Sequence, residues 1–76
     1  MGTRKFDLRQ GRKEAWNLIF LYNENKGSLW QEDLEDCVAM LQDALCTENG
    51  EIFVGGFFYY LSTRKPEMLR YFIPNI

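Results

Sequence analysis

The stretch Glu51-Ile52-Phe53-Val54-Gly55-Gly56-Phe57-Phe58-Tyr59-Tyr60-Leu61 decides what kind of fold this chain can adopt. It is rich in β-branched and aromatic residues, which favour strands, and its Gly55-Gly56 pair has the composition of a two-residue hairpin turn. A half-buried strand would alternate apolar with polar side chains, and this run shows no alternation. Wound at 100° per residue it sorts itself, with Glu51, Gly55, Tyr59 and Ser62 on one side and Phe53, Phe57, Tyr60 and Leu61 opposite. The helical reading is therefore preferred. It makes the fold mainly α, a compact bundle of three to four short helices; the alternative is two helices plus a β-hairpin at 51–61. Each glycine costs a helix about 1 kcal/mol relative to alanine, which is understandable where a neighbouring helix comes close.

Upstream, Asp7 and Gln10 form a capping box ahead of an apolar series at Leu8, Ala15, Trp16, Ile19, Phe20 and Tyr22, so a first helix is expected from about Leu8 to Asn25. Gly11 weakens its first turns, and the firm part is expected from Arg12. Gly27 ends it as a C-terminal glycine, and Ser28 with Gln31 makes a second capping box at once. A loop that short predicts two helices packed on each other as an antiparallel or crossed pair. The second helix, about Leu29 to Cys46, repeats Trp30, Leu34, Cys37, Val38, Leu41, Ala44 and Leu45 at three and four spacing. Asn49-Gly50 is a turn signal. Downstream, Pro66 suits the first turn of a short last helix with Glu67 at its positive end, Leu69, Phe72 and Ile73 on an apolar face, and Pro74 as the stop. Residues 1–76 carry no internal repeat or linker and read as a single small domain.

A chain of 76 residues buries only about 60% of its unfolded surface on folding, so every large apolar side chain counts. Twelve of them are aromatic, and each can bury about 150–250 Å². So small a core is expected to leave some rings outside as a contact patch, although ring-rich composition also compensates for a short chain. Trp30 and the run Phe57, Phe58, Tyr59 and Tyr60 are the expected anchors.

The chain has no histidine, which removes the commonest general base and the commonest neutral metal ligand. Cys37 and Cys46 are too few for a four-ligand zinc site, and the acids lack the spacing of a calcium loop. Nine positions apart on one helix, the cysteines lie about 13 Å apart, beyond the reach of a disulfide. Free thiols fit an intracellular, reducing compartment, the cytoplasm of a host or the interior of a virion. No secretory signal opposes this, for the first thirty residues lack an apolar run ending in a small-residue cleavage site. Ser28, Ser62 and Thr63 have nothing to activate them as nucleophiles, and Gly55-Gly56 is not a phosphate loop. No enzyme, cofactor, metal or small-molecule substrate is expected.

Charge is distributed unevenly. Five of the nine basic residues (Arg4, Lys5, Arg9, Arg12 and Lys13) fall in the first thirteen positions, and eight of the eleven acids lie between Glu24 and Glu51. Lys5, Arg9, Arg12 and Lys13 have helical spacing and can form one anion-binding or membrane-surface patch; an ordinary charged helix start, paired with acids of its own fold or of a second copy, would look the same. Glu32, Asp36 and Asp43 share a narrow arc of the second helix, flanked by Asp33 and Glu35. Such an arc is most often a solvated face, and otherwise a docking surface for a basic partner or a mimic of a phosphate backbone. A net charge of −2 and a pI near 5 argue against nucleic-acid binding.

The order Met1-Gly2, basic first helix, Gly11 to Trp16, then Leu29 to Leu45 ("LWQEDLEDCVAMLQDAL") and an aromatic helix resembles the small helical matrix domains of retroviral Gag, chiefly those of lentiviruses, over residues 2–62. The resemblance implies a lipidated Gly2 and a membrane-binding basic patch at Arg4, Lys5, Arg9, Arg12 and Lys13. The chain departs from that pattern in having Phe6 where the lipidation signal takes Ser or Thr, and in its acidic balance. The first expectation is a non-enzymatic interaction module, of the viral or phage accessory kind, that binds a protein partner or itself through exposed aromatics and an acidic helix face. The alternative is a matrix-like domain on an anionic membrane surface, with nucleic-acid binding behind both.

Overall fold

A computed structural model of the chain describes residues 6–72. These residues form three α-helices, α1 (Leu8–Glu24), α2 (Gln31–Leu45) and α3 (Gly50–Arg64), followed by a 3₁₀ helix at Pro66–Tyr71. There is no strand among the described residues, so the hairpin alternative at 51–61 falls. Helix periodicity wins because α3 has a side to bury: Phe53, Gly56, Phe57 and Leu61 are inside, while Glu51, Gly55, Tyr59 and Ser62 face out. The core joins them to Ala15, Leu18 and Tyr22 of α1, to Cys37, Leu41 and Ala44 of α2, and to Met68 of the 3₁₀ helix.

Two glycines set how closely α1 and α3 approach. Gly11 is buried inside α1, and a Cβ there would collide with the carbonyl oxygen of Phe53. Gly56 answers from α3, where a Cβ would lie 2.7 Å from Leu8 Cδ1 and 3.0 Å from the Leu8 carbonyl oxygen. The helix starts at Leu8 as expected, and its first turn is regular rather than firm only from Arg12: the close approach of α3 offsets what Gly11 costs in propensity. Asp7 caps it, its Oδ1 accepting the Gln10 backbone N–H at 2.8 Å.

The linker from α1 to α2 differs from expectation. Gly27 donates to the Tyr22 carbonyl at 2.9 Å and Lys26 to that of Asn23 at 3.1 Å, the paired bonds of a Schellman end. The left-handed residue just past the cap is thus Lys26 (φ 57°), with Gly27 (φ 89°) one step beyond. The second capping box does not form. Ser28 Oγ donates back to the Asn25 carbonyl, Gln31 Nε2 donates to Glu35 Oε2, and Trp30 occupies the cap position without a side-chain acceptor. Its indole N–H is donated to Asn25 Oδ1 at 3.1 Å, fastening the linker across the end of α1.

Nor does the short loop make α1 and α2 the closest pair. Both pack on α3, α1 along a long seam and α2 along a shorter one, and a cleft separates α1 from α2. The turn from α2 to α3 is held by Thr47, whose Oγ1 donates to the Ala44 carbonyl at 2.7 Å, and it needs Gly50 because a Cβ there would strike that same carbonyl. Pro66 opens the 3₁₀ helix, after which Phe72 sets its ring edge-on to Phe57 (5.7 Å) and Phe58 (5.4 Å). Ile73 and Pro74, read as the end of that element, lie outside the described residues.

Candidate functional site

The chain does leave rings outside its core, though not the set its sequence suggested. Trp30 (67% exposed) and Tyr59 (66%) are open as expected. Phe58 and Tyr60 are half-buried, Phe58 edge-on to Phe57 at 5.1 Å and Tyr60 beneath the Arg64 guanidinium at 4.9 Å. Phe57 is fully buried and cannot touch a partner. It belongs to the centre of the core because its position on α3 faces both α1 and the 3₁₀ helix.

Two rings of the apolar series on α1 also lie outside the core. Trp16 (53% exposed) and Phe20 (50%) lie on the face of α1 opposite Gly11, Ala15, Leu18 and Tyr22. They stack on each other, centroids 5.8 Å apart and planes 14° from parallel. Arg9, Arg12 and Lys13 are exposed on the same arc of the helix. The spacing 9, 12, 13, 16 and 20 is the signal in the sequence, and a single apolar series that mixes Trp16 and Phe20 with Ala15 and Tyr22 hides it. Arg4 and Lys5, the rest of the anticipated basic patch, and Gly2, the lipidation site that the resemblance implies, lie outside the described residues.

On α2, Glu32, Asp36 and Asp43 are exposed along one arc as expected. They form no ion pair with Arg9, Arg12 or Lys13 among the described residues; the pair that does form joins Lys65 to Glu67 at 3.8 Å, elsewhere on the molecule. Among the described residues, the positive face of α1 and the negative face of α2 are both left without an ion pair.

Between α1 and α2 runs a groove of about 260 Å³. Leu18, Leu21 and Met40 supply apolar surface, Cys37 lies at its base, and Glu14, Asp33 and Asp36 bring carboxylates to its edge. Burial, reinforced by the nearby Glu14 carboxylate, pushes the Cys37 thiol up to about 12, so it stays protonated and unreactive at neutral pH. Sites for drug-sized ligands typically span about 300–1,000 Å³, and this groove falls just below that range. Among the described residues no three His, Cys, Asp or Glu side chains converge as metal ligands. The hydroxyls of Ser62 and Thr63 donate to the carbonyls of Tyr59 and Tyr60 three residues back.

These features define a small helical bundle with a cationic, ring-bearing stripe on one helix and an acid-edged groove beside it. Comparison of the chain with protein-family models, curated proteins and solved structures finds no match.

Proposed function

We propose that this chain is a non-enzymatic interaction module that binds a protein partner through exposed aromatic side chains, with its charged helix faces steering the approach. The observation that carries this reading is the stacked pair Trp16–Phe20, which stands together on the outward face of α1 rather than in the core. Aromatic and arginine side chains are the types that most often dominate interfaces, and α1 sets two arginines beside these two rings. Tyr59 and Trp30 extend the apolar surface elsewhere, while Glu32, Asp36 and Asp43 favour a basic approach surface. Free thiols at Cys37 and Cys46 support a reducing compartment.

The test is affinity capture from cells that express the chain, comparing wild type with Trp16→Ala/Phe20→Ala. Both rings are outside the core, so the variant should fold and lose the captured protein. Equal capture by the two would remove the basis of the reading. A second reading draws on the same stripe, since arginine, lysine, tryptophan and phenylalanine on one helix face also suit an anionic membrane surface. Flotation with phosphatidylserine-rich vesicles at low and high salt tests it, and salt-insensitive or absent binding ends it. No helix among the described residues is long and apolar enough to cross a membrane.

A further inference from the structure

The stripe on α1 and the groove beside it are complementary, and the same chain carries both. Trp16 and Phe20 offer rings, and Arg9, Arg12 and Lys13 offer cations along the same line. Leu18, Leu21 and Met40 offer the apolar bed that a ring requires, in a groove of about 260 Å³. Glu14, Asp33 and Asp36 at its edge offer the carboxylates that the flanking cations would meet. None of these charges is paired within the chain among the described residues. Stripe and groove cannot engage each other within one molecule, because the stripe faces away from the bundle and the groove is formed partly by the flank of α1 itself.

We infer that a second copy of this chain occupies the groove, the α1 stripe of one molecule lying in the α1–α2 groove of the next with a ring inserted and cations on the acidic edge. This rests on the reading of the Trp16–Phe20 stripe as a contact surface and names its partner. The contact joins unlike surfaces, so it propagates from copy to copy unless the rotation between them closes a ring. A helix face in a shallow groove is at the small end of interface sizes, so the association is weak and its attraction falls as salt rises.

Sedimentation velocity on the intact chain from about 10 µM to about 1 mM covers the range in which so weak a contact fills. The expected result is a weight-average mass that rises with concentration and falls back toward the monomer at high salt. Charge swapping then identifies the surfaces. Arg9→Glu/Arg12→Glu/Lys13→Glu and, separately, Asp33→Lys/Asp36→Lys should each stay monomeric, since each sets like charges against like, while an equimolar mixture of the two should associate again. Circular dichroism of each variant confirms that the helices persist. A wild type that is monomeric across the whole range overturns the inference, as does a mixture that fails to associate when both variants are folded. If the chain is monomeric and Trp16→Ala/Phe20→Ala still abolishes capture of another protein, the self-docking inference falls and the broader function stands. Binding of the monomer to anionic vesicles would likewise assign the stripe to lipid and overturn the second-copy assignment.

Discussion

At the scale of single residues, adjacent glycines have opposite roles. Gly56 sits against Leu8 at the crossing of α1 and α3, whereas a Cβ on Gly55 would meet nothing within 4 Å. Gly55→Ala should therefore stabilise α3 by about 0.5–1 kcal/mol through propensity alone. Gly56→Ala should destabilise by about 1–3 kcal/mol, because the helices must part to admit the methyl group. Urea unfolding of the pair checks both signs. Lys26 holds a left-handed conformation that costs a side-chain-bearing residue about 1–2 kcal/mol. Lys26→Gly, after the added freedom of the unfolded chain is subtracted, should gain about 0.5–1 kcal/mol, a rise of a few degrees in Tm for a domain of this size. Cys46 is exposed and Cys37 buried, so thiol titration of the native protein should find one fast-reacting group and a second only on unfolding.

The sequence was most informative about secondary elements and least about how they meet. Once 51–61 is wound as a helix its sides are legible, because Glu51, Gly55, Tyr59 and Ser62 share one face, whereas its composition alone left a hairpin open; the cap at Asp7 is legible because it is local. Relations between elements were harder. Nothing local says that Ser28 would turn back to the Asn25 carbonyl, since Trp30 bonding to Asn25 draws the linker away from a second cap. On α1, Ala15, Leu18 and Tyr22 form one helical line and Trp16 with Phe20 another. Bulk favours the wrong line; the inward one is set by the close approach that Gly11 permits. For Phe57 the helical wheel and the anchor expectation disagree: winding 51–61 at 100° per residue sets it opposite Glu51, on the side that proves buried, whereas grouping it with its three neighbouring rings as an anchor ignores that periodicity. The groove was not legible at all, as it exists only once α1 and α2 are both docked on α3. At this scale the 3₁₀ helix matters through Met68, fully buried beneath the bundle, and Met68→Ala should cost about 2–5 kcal/mol in thermal or urea melts.

For the whole molecule, the buried thiol ties stability to alkaline pH. Cys37 releases its proton near pH 9 when unfolded but only at about 12 when folded, so the folded state binds the extra proton between those values. Its contribution is intact below about pH 9 and is lost as pH rises toward 12. The difference in unfolding free energy between wild type and Cys37→Ala, followed across that range, should therefore shrink. A second global property follows from α3 being the element on which the other two rest. Because α2 touches it along the shorter seam and stands apart from α1 across the groove, the bundle behaves as a tightly joined pair with a third helix more lightly attached. Amide hydrogen exchange should then resolve two openings: α2 deprotects first while the α1–α3 pair stays closed, and the pair exchanges only through global unfolding. Such a hinge would let the acid-edged groove widen without unravelling the molecule, so the tightness of that one seam sets how large an object the groove can admit.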